Sequence, residues 1–313
     1  MVIVFFGTPQ FAVPTLERLI ASRHRICGVV TQPDRPRGRG RKIVETPVKA
    51  AAVAHGLPVI QPDDLRDPAV RQTMAEWRPD LGVVAAYGKL IPEELLNVPR
   101  FGMINVHASL LPKYRGAAPV HRAVIDGEPE TGITIMQVVK ALDAGDILAR
   151  AKRPIGPDET SDVVEADLAR MGAELLLSVV DQIEAGTVTP ERQDEMLSSY
   201  APRLTKAEGL IDWTLPATYI HNRVRGLHPW PHAYTYLDDT RLIVLRTRVE
   251  DQPTAAPPGT IVDASPDALH VATGHGGRIA ILEVQPEGRR PMTVREFLAG
   301  RPEVKPGLIF RSP

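Results

Sequence analysis

Cysteine is almost missing: Cys27 is the single one in 313 residues. An intrachain disulfide and a cysteine metal cluster are thereby excluded. Cys27 lies in the apolar run 26–30 and reads as a buried structural thiol. No apolar run approaches the ~20 residues of a membrane span. The opening MVIVFFGTPQ has neither a basic n-region nor a long apolar h-region, so no signal peptide is expected. Net charge is missing too. At -1, the chain cannot coat nucleic acid by bulk charge, and any such contact must use a local patch. The first apolar run is not followed by GxGxxG, which weakens a nicotinamide-cofactor reading. No internal repeat is present. A reducing cytoplasm, no membrane partner and a monomer are expected.

The length suffices for two domains with separate cores. Residues 2–6 (VIVFF) form a continuous apolar run, the signature of a buried parallel strand. A helical stretch at 11–21 and a second apolar strand at 26–31 complete a β-α-β opening. Helices follow at 47–55, 68–77 and 117–125, with strands at 57–60, 80–86, 101–107, 131–139 and 147–151. Thr160 or Ser161 can cap a long helix that Gly186 ends. Its expected apolar stripe is Val164, Leu168, Met171, Leu175, Val179 and Ile183. Beyond it the period is lost, and 189–206 reads as a linker. Residues 207–313 carry short strands at close spacing, which suggests a small β-barrel. The expected division is therefore 1–188, linker 189–206, and 207–313.

Residues 32–42 (QPDRPRGRGRK) interleave Arg35, Arg37, Arg39, Arg41 and Lys42 with proline and glycine. Such a segment cannot build a core and is expected as a mobile surface loop. It is either a solvated charged loop or a phosphate-gripping arm. Its place after a strand's C-terminal end favours the arm, since that rim of an α/β sheet carries sites.

In FGMINVHASLLPKYRG, residues 101–116, two polar side chains interrupt an apolar strand. Alternation puts Asn105 and His107 on one face. If strands 101–107 and 131–139 are neighbours, Asp143 in LDAGD joins them at one rim. A histidine moves protons near neutral pH, a carboxylate orients it, and an amide donates to a developing oxyanion. That trio suits attack of an amine on a carbonyl. Ser109 lacks the GxSxG elbow, so direct acyl transfer without a covalent intermediate is expected. Structural roles remain open: a strand histidine is often a satisfied structural residue, and Asp143 could merely cap its turn. A metal held by His107 and Asp143 lacks a third ligand nearby in sequence, and none is expected.

Asn105 to Pro112 (NVHASLLP), Arg115-Gly116 and Leu142 to Gly145 (LDAG) resemble the signature of the folate-dependent formyltransferase family. The opening FGTPQFA, the segment 31–40 and the second half extend the resemblance over essentially the whole chain. It implies a Rossmann-like open, mostly parallel sheet domain followed by a small OB-like β-barrel that binds tRNA. The implied reaction moves a formyl group from 10-formyl-tetrahydrofolate to the α-amine of methionine on initiator tRNA. Asn105, His107 and Asp143 occupy the family's catalytic positions. Ser109, Leu110, Leu111 and Pro112 match its folate-contacting segment, and Tyr87, Gly88, Ala141 and Leu142 are implied to line the pterin pocket. The segment with Arg35, Arg37, Arg39, Arg41 and Lys42 matches the insertion that grips the acceptor stem, Arg39 standing at its key arginine. Arg203, Lys206, Arg223, Arg225, Arg289 and Arg290 are candidate tRNA contacts. Ala108 stands where relatives often carry glycine. Relatives acting on amino sugar nucleotides share the catalytic motifs, and the arginine-rich insertion argues against them. A non-catalytic RNA-binding scaffold is disfavoured by the trio.

Overall fold

The computed structural model describes residues 1–37 and 42–311, so Arg39 and Arg41 lie outside the described residues. In chain order its first half contains β1 (Val2–Gly7), α1 (Val13–Ile20), β2 (Arg25–Val30), β3 (Arg35–Arg37), β4 (Lys42–Val44), α2 (Pro47–Ala54), β5 (Val59–Ile60), α3 (Pro68–Trp77), β6 (Leu81–Ala85), α4 (Glu93–Leu96), β7 (Met103–His107) and β8 (Arg115–Gly116). Then come α5 (Pro119–Ile125), β9 (Glu130–Gln137), β10 (Ile147–Pro154), α6 (Ser161–Ala185) and β11 (Tyr200–Ala201). The remainder holds α7 (Ala217–Gly226), β12 (Ala233–Leu237), β13 (Thr240–Glu250), β14 (Ile261–Ser265), β15 (Ala268–Ala272), β16 (Arg278–Pro286), β17 (Met292–Thr293) and α8 (Val294–Ala299).

Two compact units result. The first comprises Met1–Pro119, Thr131–Arg153 and Glu165–Pro202, and the second Val120–Glu130, Pro154–Val164 and Arg203–Pro313. Residues 120–130 and 154–164 fall before the boundary expected at 188 yet cluster with the second unit. Ile125 belongs to that unit's core, and the His121 ring binds the Gly226 carbonyl through Nδ1 at 2.7 Å.

In the first unit a seven-stranded sheet has the order β10-β9-β7-β6-β1-β2-β5. Strands β5, β2, β1, β6 and β7 run parallel, and β9 runs antiparallel to β7. The apolar runs that announce β1 and β6 are buried along their length, as a sheet covered on both faces requires. Thr46 and Asp67 cap α2 and α3, each accepting a hydrogen bond from a first-turn amide. Along α6 the fully buried large apolar residues are Val164, Leu168, Leu176, Val179 and Val180, whereas Met171, Leu175 and Ile183 are half-buried. The stripe is therefore rotated from the expected one.

The basic segment is not an irregular loop where it is described. β3 and β4 pair antiparallel, with Arg35 opposite Val44 and Arg37 opposite Lys42. Just before β3, Asp34 is bound by Lys49 and by Gln61 Nε2. The Lys49 ammonium, followed by the Gln61 amide, holds the Asp34 carboxyl below the usual range.

The stretch 189–206 differs from a linker as well. Up to Pro202 it packs within the first unit: β11 pairs parallel with β8, and Gln193 is buried. The segment lacks a period because it is held by individual hydrogen bonds rather than by an apolar face.

In the second unit the strands β12-β13-β16-β15-β14 form an antiparallel sheet, with β17 added against β16. Single bridges tie Arg311 to Tyr236 and Ile309 to Thr260. The expected OB-like barrel is thus narrowed to an antiparallel sheet whose outer strands meet one terminal segment through isolated bridges. Its core includes Trp213, whose indole N–H donates to Thr235 Oγ1 at 3.0 Å and whose ring stacks on Phe310.

Candidate active site

The C-terminal end of β7 carries the two polar residues. Asn105 stands between Val84 of β6 and Met136 of β9, and His107 stands opposite Thr134. Both belong to one face of the strand. His107 is 5% exposed. Its Nε2 lies 3.0 Å from the Tyr114 carbonyl oxygen. A carbonyl only accepts, so Nε2 carries the proton. The other ring nitrogen, Nδ1, lies 3.7 Å from Asp143 Oδ2. That is too long for a hydrogen bond. The histidine is therefore oriented by Tyr114, not by the carboxylate. Among the described residues the Asn105 amide has no hydrogen-bond partner.

Asp143 arrives by a route that differs from the expected one. Because β9 is antiparallel to β7, its C-terminal end lies level with Ile104, away from His107. The loop 138–146 folds back to bring Asp143 to the ring. Gln137 N donates to Asp146 O at 2.9 Å to close that loop. Gly145 is required there, because a Cβ would stand 1.9 Å from Gln137 O. Asp143 adopts φ 48°, left-handed backbone that aspartate tolerates better than most residues. Its Oδ2 accepts the Gly116 amide at 2.8 Å. The carboxylate is thus fixed from the β8 side and does not cap its own turn.

Sequence reasoning missed Gln193, which is 4% exposed. Its Nε2 donates to the carbonyls of Asp143 at 2.9 Å and Gly145 at 2.8 Å. Its Oε1 accepts from Arg115 Nε at 3.1 Å and Nη2 at 2.8 Å. Arg115 also grips both Glu195 oxygens at 2.9 Å and holds that carboxyl below the usual range. A lone glutamine in an aperiodic polar stretch leaves no sequence signal.

The other expected site residues divide by burial. Ser109 is fully buried, and its hydroxyl donates to Lys113 O at 2.6 Å. Leu111 packs with Met136 and Ile147. The Tyr87 ring lies in the core, and burial pushes its hydroxyl up to about 12. Its carbonyl accepts from Thr8 Oγ1 at 3.1 Å and Gln32 Nε2 at 2.8 Å. The Gly88 that follows takes φ 84°. Leu110 and Pro112 are half-buried, and Ala141 is exposed. On the loop that carries Asp143, Leu142 and Val139 stand 46% and 41% exposed. Arg35 is exposed on the basic hairpin, and Lys42 begins its second strand.

In the second unit Arg203 and Lys206 are exposed. Arg225 is not an available contact. It is buried, and its guanidinium is spent on Asn222 Oδ1 and the carbonyls of Gly156 and Glu159. Arg223 is engaged by the Glu208 carbonyl. Arg289 and Arg290 are exposed, the latter paired with Glu296.

Two family models match the chain. "Formyl transferase" covers residues 1–180, and "Formyl transferase, C-terminal domain" covers residues 203–302. A methionyl-tRNA formyltransferase of Methylococcus capsulatus is 48% identical over 95% of this chain and 96% of its own length. One of Geobacter metallireducens is 47% identical over 98% and 97%. Among solved structures, an N-formyltransferase of Helicobacter canadensis in complex with folinic acid and dTDP-3-aminofucose superposes with TM-score 0.70 at 17% identity. It covers 90% of this chain and 99% of its own. That last likeness is one of fold. Taken with the two relatives and the two domain matches, it leads to one conclusion: the chain belongs to the formyl transferase family and is a formyl-transferring enzyme.

Proposed function

We propose that the chain formylates the α-amine of methionine on initiator tRNA, taking the formyl group from 10-formyl-tetrahydrofolate. Relatives of nearly equal length named methionyl-tRNA formyltransferase support this acceptor. One observation carries the chemistry. His107 keeps Nε2–H on the Tyr114 carbonyl and turns Nδ1 toward the Asp143 carboxylate, on the strand face it shares with the Asn105 amide.

In the reaction the amine nitrogen bonds to the formyl carbon, the carbon's bond to the donor nitrogen breaks, and the proton that the amine loses ends on that departing nitrogen. A neutral amine is accessible, since α-amino groups titrate near about 7.7 to 8. Asn105 donates its amide N–H to the oxygen that becomes negative. His107 Nδ1 is the ring atom left to take up a proton, because Nε2 is committed. Asp143, 3.7 Å away, faces the positive charge that then appears on the ring. Proton passage across that gap needs one bridging water or a small closure.

The formyl donor supplies an activated one-carbon group. Residues suited to hold its ring are the exposed Leu142 with Ala141, the half-buried Leu110 and Pro112, and the backbone at Tyr87-Gly88. Ser109 and Leu111 act by shaping the turn that presents them. The basic hairpin and the exposed Arg203 and Lys206 serve the tRNA. A monomer in a reducing cytoplasm completes the proposal.

The test is a folate-dependent formylation assay offering charged initiator tRNA or an amino sugar nucleotide. Formylation of the tRNA alone is expected. His107→Ala and Asn105→Ala should keep tRNA affinity and lose turnover by on the order of 10²- to 10³-fold. Near-normal turnover in either variant overturns its assigned role, and preference for the sugar overturns the acceptor.

A further inference from the structure

Asp143 is held at φ 48°, a left-handed conformation that persists only where its surroundings impose it. What imposes it is a closed ring of hydrogen bonds through three separate segments. Gly116 N–H donates to the Asp143 carboxylate. Arg115, one residue earlier, donates twice to Gln193 Oε1. Gln193 Nε2 returns to the Asp143 carbonyl and, with its second hydrogen, to the Gly145 carbonyl. The amide has only one usable orientation, since the guanidinium only donates and the carbonyls only accept. The same 193–201 segment also holds the residue that aims His107. Ser199 Oγ accepts the Tyr114 amide at 2.9 Å, and Ser199 O accepts the Arg115 amide at 2.8 Å.

We infer that Gln193 is a positioning residue for Asp143, setting the carboxylate against His107 through the backbone of residues 143–145. This inference rests on the proposed role of Asp143. Both amide hydrogens of Gln193 and its oxygen are used on this one task. Its side chain is 4% exposed, and its hydrogen bonds go to Arg115 and to the carbonyls of Asp143 and Gly145. Glutamate in its place would keep an acceptor for Arg115 but set a carboxylate against two carbonyls. Alanine would leave those carbonyls unpaired and the turn free to relax.

The test is a double-mutant cycle in the full chain, measuring kcat, KM for both substrates and thermal unfolding for Gln193→Ala, Asp143→Ala and the pair. Gln193→Ala is expected to lower kcat by roughly 10- to 100-fold, as misplacement of a reacting group does, with each KM within about two-fold. In the Asp143→Ala background it should cost less than about two-fold more, because a residue acting only through Asp143 has nothing left to position. Multiplicative losses, or an unchanged kcat for Gln193→Ala beside an inactive Asp143→Ala, overturn the inference and leave the role of Asp143 standing. A fully active Asp143→Ala overturns that role instead. Should Gln193→Ala fail to fold, Gln193→Glu enters the same cycle with the same expectations.

Discussion

Tyr87 packs its ring edge-on against Phe6, with centroids 5.4 Å apart and planes at 88°. Its hydroxyl finds no partner among the described residues. Tyr87→Phe should therefore leave KM for the formyl donor within about two-fold and hold or raise stability, since removing an unpaired buried hydroxyl removes a desolvation cost. Steady-state kinetics with a urea melt check this, and a large rise in KM would assign the hydroxyl to the donor. Residue type alone does not convey whether a tyrosine offers a pocket its ring or its backbone. Asn105 and His107 are legible because polar groups in an apolar, alternating run stand out. Arg225 is misread from sequence for the opposite reason. A buried arginine satisfied by carbonyls looks in sequence like any surface arginine.

At the scale of elements, the loop 138–146 carries Asp143, and Gly145 is where it passes closest to β9. Gly145→Ala would push the added methyl into the Gln137 carbonyl and displace the turn. Overpacking of this kind costs about 1–3 kcal/mol. The variant should lose that much stability and most of its turnover, because Asp143 moves with the turn. Chemical denaturation and single-turnover formylation measure the two effects, and full activity at normal stability would show that the loop tolerates the shift. Local pattern marks β7 and β9 as strands and leaves open whether they are neighbours. It does not show their opposite directions, which depend on pairing between distant segments. The β3-β4 hairpin is hidden similarly, since proline, glycine and arginine do not advertise a ladder.

On the scale of the molecule, a near-neutral chain must bind a polyanion with local charge. Arg35 sits exposed on the hairpin, and Arg39 and Arg41 lie in the same basic segment. Replacing these three with alanine should weaken tRNA binding and flatten the slope of log affinity against log salt by about 0.7–0.9 for each phosphate no longer neutralised. Filter binding at several ionic strengths measures it, and an unchanged slope would remove the hairpin from the interface. Two cores are legible from the change in texture after residue 206. The assignment of 120–130 and 154–164 to the second unit is not, because an apolar helix face does not name the core it joins.

The ring through Gly116, Arg115 and Gln193 has a consequence for synthesis of the chain on the ribosome. Asn105, His107 and Asp143 emerge well before Gln193, and Ser199 follows later still. Until Gln193 and Ser199 clear the exit tunnel, the hydrogen bonds that they make to the loop of Asp143 and to Tyr114 and Arg115 cannot form. On the roles proposed for these residues, an aligned trio waits on the segment 193–201, and a polypeptide that lacks this segment is expected to transfer no formyl group.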